Sequence, residues 1–545
     1  MRLMGQMGVF IAALLMAIFL YFKAFLPLAS VGWDEGAHLL DAFKVAAPLH
    51  RGAVIEALRQ SANQIVYPPA YSWLVAIWSL AGGVSLESFR LFSLAVYVVA
   101  AIAIYLVTDG LLKSLKFSRG GSGAAGMIAA FLFLTAPLFW ILSVQAMIET
   151  TGVLITVAVV GLIIKAYEQT LRPSRGRWMA VAVGMTVLFF TKYNYGTIIF
   201  FGLVAEWVVA VWLFGLAGFR NNFKSAFAVL GSLVTFLLIW VILPGRVATF
   251  IGVLSDPITY SYEAISFWQH IFWFFPMSLS LDYLASPLLV LAYMSGIYFV
   301  FKFWRNPSVR VIFFIFLANL AAGILHMNNQ QERYIATAVP LLYMLSAGGF
   351  VELAKQARHI TGQKKKVMVI AGLIMGVLVM KDFISNIANV RAIGEHLLTS
   401  PIYGCKQFQV TQFDFNKANW VCGDRLGQLP RGAVDWVLAN TDLNKPLYYL
   451  GATNEISPTV LEFLRAVQRY NKIDAKPTSL WPQYALTVEV EPDSILDTYD
   501  YRKQNRGRNE QGLAAVIADS RWVNVARKNF NELGVTLTIW GWNGI

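Results

Sequence analysis

Long apolar runs recur along residues 1–385 and limit this chain to one architecture. A run of about 20 apolar residues is long enough to cross a bilayer as a helix. The runs number eleven and lie near residues 8–28, 88–110, 123–138, 141–163, 178–193, 197–217, 225–243, 286–303, 311–326, 335–353 and 367–384. They predict a polytopic α-helical membrane protein of about eleven transmembrane helices. Pro137–Trp140 predicts a tight hairpin between two of them, and residues 70–81 predict a juxtamembrane or re-entrant helix.

The composition agrees with a membrane protein and argues against a nucleic-acid partner. The 545 residues are 57% hydrophobic and 14% charged, whereas soluble domains are about 45–50% apolar and about 25% charged. The formal net charge is +13. Its lysines and arginines are spread over alternate loops, however, and a nucleic-acid footprint would be a clustered basic face.

The same lysines and arginines predict the orientation in the membrane. Cytoplasmic loops are enriched in these residues, and placing the N-terminus inside assigns every basic loop to the cytoplasm. The basic loops hold Lys113, Lys116, Arg119, Lys165, Arg172, Arg175, Arg177, Arg220, Lys224, Lys302, Arg305, Arg310, Lys355, Arg358 and Lys364 to Lys366. We expect a plasma (inner) membrane protein with an uncleaved first helix. Residues after about 385 then lie outside the cytoplasm.

An acidic motif, Trp33-Asp34-Glu35-Gly36-Ala37-His38, directly follows the first apolar run. Charge at a membrane boundary is costly, so the acidic pair is a candidate functional site. Asp34 and His38 share a face if the segment is helical. The alternative is that the two acids only cap an interfacial helix, because carboxylates favour helix N-termini.

Two later elements complete a pattern. Tyr67-Pro68-Pro69-Ala70-Tyr71 stops one helix and starts another, and Gln331-Glu332-Arg333-Tyr334 opens a late apolar run that contains Pro340. This order resembles the GT-C fold glycosyltransferases that use polyprenyl-phosphate sugars, a class that includes the aminoarabinose and protein O-mannosyl transferases. The resemblance covers roughly residues 1–385. It implies a transmembrane catalytic domain whose outer loop, residues 30–87, carries the acidic motif.

The resemblance implies transfer from a polyprenyl-phosphate-linked sugar to a lipid, glycan or protein acceptor. A phosphate leaving group needs cations as charge develops on it, and the acceptor hydroxyl needs a base within reach. Asp34 matches the base of the family. Glu35 would orient the loop or the acceptor, and His38 would hold the carboxylate or contact the sugar. Adjacent acids suit a hydrolytic carboxyl pair poorly. The resemblance implies an inverting glycosyltransferase.

The donor phosphate has several candidate contacts. Arg333 has a planar fork that suits phosphate, although it could instead be an anchor that snorkels to the headgroups. Arg246 is a second candidate, and Lys192 recurs in relatives but could also mark a helix end. Tyr67 stands where the aminoarabinose transferases carry a lysine that helps to bind the phosphate. The phosphate site must therefore be built differently, and Arg59 is the nearest upstream cation.

Residues 386–545 predict a separate extracytoplasmic α/β domain. Strands are expected at Lys445–Thr453, 484–491, Leu513–Ala518 and Val535–Trp540, and Ser457-Pro458 predicts a helix through about Tyr470. Arg502–Gln511 suggests a polar loop. The oxidising outer location permits a disulfide between Cys405 and Cys422; the alternative is a pair of buried thiols.

Three further interpretations concern ligands and function class. The aromatic residues of 260–283 suit an interface belt, and they could also line a lipid groove or stack on a sugar. Asp256, Glu263 and Asp282 could join Asp34 around a divalent metal, but no spacing demands it, so we expect neither metal nor cofactor. The alternatives to an enzyme are a lipid-linked sugar flippase and a non-catalytic scaffold; the polar outer loops and the outer domain favour chemistry.

Overall fold

A computed structural model describes residues 2–25, 33–64, 66–168, 175–248, 287–326, 332–357, 377, 428–443, 445–450, 456–471, 483–490, 506–531 and 535–543. The helices of the apolar region are Arg2–Leu20, Leu86–Ser114, Arg119–Thr135, Pro137–Val144, Ile148–Tyr167, Arg175–Thr191, Tyr193–Phe236, Pro287–Lys302, Pro307–His326 and Val339–Ala357. Shorter helices Trp33–His50, Val54–Ala62 and Ala70–Gly82 follow the first of them.

Ten of the eleven predicted runs overlap helices that the structure describes. Of the last run, 367–384, the structure describes residue 377 alone. Among the described residues, 4 helices are long and apolar enough to cross a membrane, or 5 if one bent pair is a single span. These are Met4–Lys23, Leu86–Ser114, Ile148–Tyr167, Tyr193–Gly215 and the bent pair Arg119–Thr135 with Leu138–Val144. The full count of eleven spans stays a prediction.

The expected hairpin at Pro137–Trp140 is wrong. Ala136 is extended (φ −82°, ψ 119°), and Pro137 opens a short helix that ends at Val144. This short helix is bent by 68° from Arg119–Thr135. The residue before a proline avoids the helical region, which explains the first break. A second break follows at Gln145, so the next long helix begins at Ile148 rather than at residue 141.

A glycine divides the longest helical run. Within Tyr193–Phe236, Gly215 adopts φ 57° and ψ −140°, a conformation that only glycine takes without steric cost. The run is therefore two helices, which agrees with separate spans at 197–217 and 225–243. Its last residues continue into a π-helical turn at Leu237–Val241.

The chain forms two compact units. The first comprises the described residues of Met1–Tyr21, Ala62–Tyr71 and Arg90–Asn389, and the second those of Phe22–Ser61, Ser72–Phe89 and Val390–Ile545. In the first unit, Tyr193–Phe236 packs against Arg175–Thr191 and Pro307–His326. Most of the outer loop 30–87, which the sequence placed with the transmembrane domain, belongs to the second unit. The boundary at 385 stays a prediction.

The C-terminal part of the second unit is α/β. Four strands, β1 Leu447–Tyr449, β2 Tyr484–Val490, β3 Trp522–Phe530 and β4 Val535–Trp542, are ordered β1-β2-β4-β3. β1 and β2 are parallel, and the other neighbours are antiparallel. The helices are Gln428–Ala439, Pro458–Asn471 and Arg506–Ala518. The predicted helix at Pro458 is confirmed, and Ser457 Oγ accepts a hydrogen bond from the Val460 amide at 3.3 Å.

Two local predictions in this part are wrong. Leu513–Ala518 is the end of a helix that begins at Arg506, so it is not a strand, and much of the expected loop Arg502–Gln511 is helical. A short apolar run fits a buried strand and a buried helix equally well. β3 was missed because it carries polar residues such as Arg527 and Lys528 and is largely exposed.

Candidate functional site

The acidic motif opens a helix, Trp33–His50, which we call the motif helix. Asp34 and Glu35 lie in its first turn. Asp34 is half-buried, whereas Glu35 and His38 are 2% and 3% exposed. Asp34 and His38 are one turn apart on one face, as predicted. Because both acids sit at a helix N-terminus, the capping interpretation also stays open.

One face of the motif helix packs on helix Pro458–Asn471. The Phe43 ring meets those of Phe463 and Tyr470 edge-on, with centroids 6.5 Å and 6.1 Å apart. A Cβ added at Gly36 would lie 2.8 Å from Val460 Cγ2, so glycine permits this approach. At 100° per residue, Asp34 and its neighbours one and two turns on lie on the opposite face.

Asp41 extends that polar face and was missed by the sequence analysis. It lies seven residues after Asp34, and Lys44 Nζ is 3.9 Å from its carboxylate. Burial raises the pKa of the Asp41 carboxyl to about 6, and the charge of Lys44 acts in the opposite direction. The spacing of Asp34, His38 and Asp41 is the sequence signal that could have found it.

A buried cluster in the first unit joins two of the predicted donor residues, Lys192 and Tyr67. Lys192 Nζ donates to Glu149 Oε1 at 3.1 Å. The same ammonium lies 5.8 Å from the ring centroid of Tyr67 and 5.4 Å from that of Tyr195. Glu149 and Lys192 are 0% and 7% exposed. We call these four residues the lysine cluster.

The lysine cluster forms where helices begin. Lys192 is extended (φ −158°, ψ 119°) between helices Arg175–Thr191 and Tyr193–Phe236. Glu149 lies in the first turn of Ile148–Tyr167. One turn on, a Cβ at Gly152 would lie 2.2 Å from Tyr195 Cε2, so the glycine lets this ring approach. Lys192 therefore marks a helix end, as the alternative held, and it also belongs to a buried cluster.

Arg246 donates hydrogen bonds to backbone carbonyls of the segment that precedes Tyr67. Its Nε donates to Gln64 O at 3.1 Å, its Nη1 to Trp240 O at 3.3 Å, and its Nη2 to Ala62 O. Its guanidinium also lies 3.5 Å from the ring centroid of Trp240. These contacts give Arg246 a structural role in holding the segment before the Tyr67-Pro68 element. Its role in phosphate binding stays a prediction.

Arg333 and Arg59 lie in different settings. Arg333 is half-buried in a 3-10 turn, Glu332–Ile335, just before helix Val339–Ala357. Arg59 is exposed on helix Val54–Ala62, where its Nη1 donates to Glu56 Oε2 at 2.8 Å. A surface pair of this kind contributes little. Neither donor role is tested by these positions.

The predicted residues divide between the two units. Tyr67, Lys192, Arg246 and Arg333 belong to the first, and Asp34, Glu35, His38 and Arg59 to the second. Cys405 and Cys422 lie outside the described residues, as do Asp256, Glu263, Asp282 and the aromatic segment 260–283. The disulfide therefore stays a prediction. Within the described part of the chain, no group of three or more His, Cys, Asp or Glu could hold a metal ion.

A second buried ion pair was also missed. Arg310 Nε and Nη2 donate to the two carboxylate oxygens of Glu206 at 2.7 Å and 2.6 Å. Arg310 also donates to Trp304 O at 2.7 Å. Arg310 was expected in a basic loop, but it lies in helix Pro307–His326 and is fully buried. A charged residue inside an apolar run, here Glu206, is the signal that could have pointed to such a pair.

No family model matches this chain, and no curated protein sequence matches it. Solved structures do. ArnT from Cupriavidus metallidurans bound to undecaprenyl phosphate is 15% identical, with a TM-score of 0.52 over 98% of this chain and 98% of that chain. The apo state of the same protein gives 15% identity and a TM-score of 0.54 over 99% and 98%. The likeness establishes the fold: this is a multi-span membrane protein with the GT-C fold.

Proposed function

We propose that this chain is an inverting glycosyltransferase. It moves a sugar from a polyprenyl-phosphate-linked donor to an acceptor hydroxyl at the outer face of the plasma (inner) membrane. The lysine cluster carries the proposal, because it joins Lys192 and Tyr67, two predicted donor contacts, in a buried site. The fold is that of a protein solved with undecaprenyl phosphate, which supports the same class of donor here.

The proposed reaction needs one base and a cationic phosphate site. The acceptor oxygen attacks the anomeric carbon from the face opposite the phosphate, and the bond from that carbon to the phosphate oxygen breaks. Polyprenyl phosphate leaves with the bonding electron pair, and the acceptor proton passes to Asp34. Lys192 and Arg333 would stabilise the negative charge that grows on the phosphate. Tyr67 can add a neutral hydrogen bond, and His38 would hold Asp34 or contact the sugar.

The proposed orientation follows from the basic loops. With the N-terminus in the cytoplasm, the motif helix and the C-terminal α/β part lie outside it. Acceptors reach this face as lipids, glycans or proteins. The lipid-linked donor is embedded in the same membrane.

Product formation by the purified protein tests the proposal. The protein in lipid nanodiscs is given a panel of undecaprenyl-phosphate-linked sugars and candidate acceptors, and release of undecaprenyl phosphate with a new glycoside is measured. Arg333→Lys keeps the charge but loses the two-pronged contact, so we expect about tenfold weaker donor use. Movement of intact donor across a proteoliposome bilayer without any product would favour the flippase alternative instead.

A further inference from the structure

The contact between Lys192 and Glu149 is a single hydrogen bond inside a buried site. Lys192 Nζ meets one carboxylate oxygen at 3.1 Å, and both side chains are more than nine-tenths buried. Two tyrosine rings stand within 6 Å of the ammonium. The pair as described carries no net charge, since one ammonium neutralises one carboxylate.

A donor phosphate alters that balance. The donor of the proposed reaction is a phosphodiester, which brings one negative charge to a cation that already has a carboxylate partner. We infer that Glu149 is the resting counter-ion of Lys192 and that the donor phosphate displaces it. The inference rests on the proposed function, and it makes Glu149 a residue that sets donor affinity and selects for a charged head group.

The chemistry of the lysine cluster allows this exchange. A lysine ammonium is a compact charge with three donors on a flexible stem, so it can move from one anion to another. The rings of Tyr67 and Tyr195 can keep a cation–π contact with it as it moves. Glu149 lies in the first turn of helix Ile148–Tyr167, where the helix dipole favours a carboxylate. Displaced from Lys192, Glu149 still has a favourable electrostatic environment.

A binding experiment tests the exchange directly. Full-length protein in nanodiscs is titrated with undecaprenyl phosphate, with undecaprenol as the uncharged control, and melting temperatures are recorded with and without lipid. Glu149→Gln removes the competing charge but keeps the size. We expect it to bind undecaprenyl phosphate about tenfold or more tightly than wild type, without a change for undecaprenol. The unliganded variant should melt lower, and undecaprenyl phosphate should raise its melting temperature by more than in wild type.

The matched control is Glu206→Gln. It makes the same chemical change in the other buried pair and leaves Arg310 without its carboxylate. We expect a lower melting temperature, as for any broken buried pair, with unchanged affinity for undecaprenyl phosphate. A general loosening of the helices would strengthen lipid binding in both variants or in neither. Tighter binding by Glu149→Gln alone therefore indicates counter-ion exchange.

Two further variants separate the inference from the proposed function. Lys192→Met should weaken undecaprenyl phosphate binding; if it does not, the donor site at Lys192 fails with the inference. If Lys192→Met weakens binding but Glu149→Gln leaves it unchanged or weaker, only the counter-ion exchange is overturned. Should Glu149→Gln not fold, the neutral double variant Glu149→Gln/Lys192→Met is compared with Lys192→Met. Tighter binding by the double variant supports repulsion between Glu149 and the phosphate, and equal or weaker binding overturns it.

Discussion

Two buried carboxylate–cation pairs in the same unit are built in different ways. Arg310 holds both oxygens of Glu206 with two nitrogens and has a third bond to a backbone carbonyl. Lys192 holds one oxygen of Glu149 and lies beside two tyrosine rings. The first pair joins helices Tyr193–Phe236 and Pro307–His326, whereas the second lies where helices begin.

The difference shows what each pair can do. A guanidinium fork locked on a carboxylate is geometrically fixed and strong, so the Glu206–Arg310 pair suits the joining of two helices. Lys192 meets Glu149 with one hydrogen bond at a helix break and lacks that fixed two-point geometry, as the proposed exchange with phosphate requires. Burial is therefore common to both pairs, and they differ in the geometry of the contact and in the regularity of the backbone around it.

The largest expected effect is on turnover and concerns Asp34, a carboxylate that belongs to neither pair. Asp34→Asn keeps the size of the side chain but removes its basicity, so turnover should fall by about 10²–10⁴, while affinity for undecaprenyl phosphate changes little. Single-turnover transfer by purified variants measures this. Near-normal turnover would remove Asp34 as the base, and a paired carboxylate such as Glu149 would then have to be considered. A loss of folding would support the helix-cap interpretation.

The next effect tests the structural pair. Arg310→Met leaves Glu206 charged and buried, which should cost about 3–5 kcal/mol of stability. The double variant Glu206→Met/Arg310→Met should recover most of that loss, because an apolar pair of similar volume is often tolerated. Denaturant unfolding in mild detergent gives the stabilities. Activity per folded molecule should match wild type in both; a specific loss of activity would break the distinction between the two pairs.

Sequence predicts the helices here far better than it predicts how they break and pair. Apolar length alone indicated the helical segments, because a membrane helix needs little else. The break at Ala136 has a local cause in Pro137, but the apolar pattern did not indicate the 68° bend that follows from it. Glu149 and Glu206 are recognisable in the sequence as charged residues inside apolar runs. Their partners, Lys192 and Arg310, are set by helix packing, which the sequence pattern does not show.

The site was predictable to a similar extent. The resemblance pointed to Lys192 and Tyr67, and the structure brings them together. Arg246 was a candidate from its place at the end of an apolar run, and its acceptors are backbone carbonyls that carry no sequence signal. Leu513–Ala518 failed for a third reason, since six apolar residues fit a buried strand as well as a buried helix.

The smallest expected effect uses Asp41, a mostly buried carboxylate that lies 3.9 Å from Lys44 Nζ. Its pKa rises from 3.8 to about 6 on folding, so the folded state binds the proton more tightly than the unfolded state does. The protonated group therefore adds stability below about pH 4, and this contribution is lost as the pH rises through 6. This rise in the pKa of Asp41 corresponds to at most about 3 kcal/mol of folding stability.

Asp41→Asn should remove this dependence, because an amide stays neutral at every pH. Relative to wild type, the variant should gain stability at pH 7.5 and gain clearly less at pH 4.5, as measured by denaturant unfolding at both values. Asp519→Asn is the matched control of opposite sign, since a hydrogen bond from Arg521 lowers the pKa of Asp519 and its contribution is lost as the pH falls. If the pH dependence of stability in Asp41→Asn equals that of wild type, the charge of Asp41 carries no cost in the motif helix.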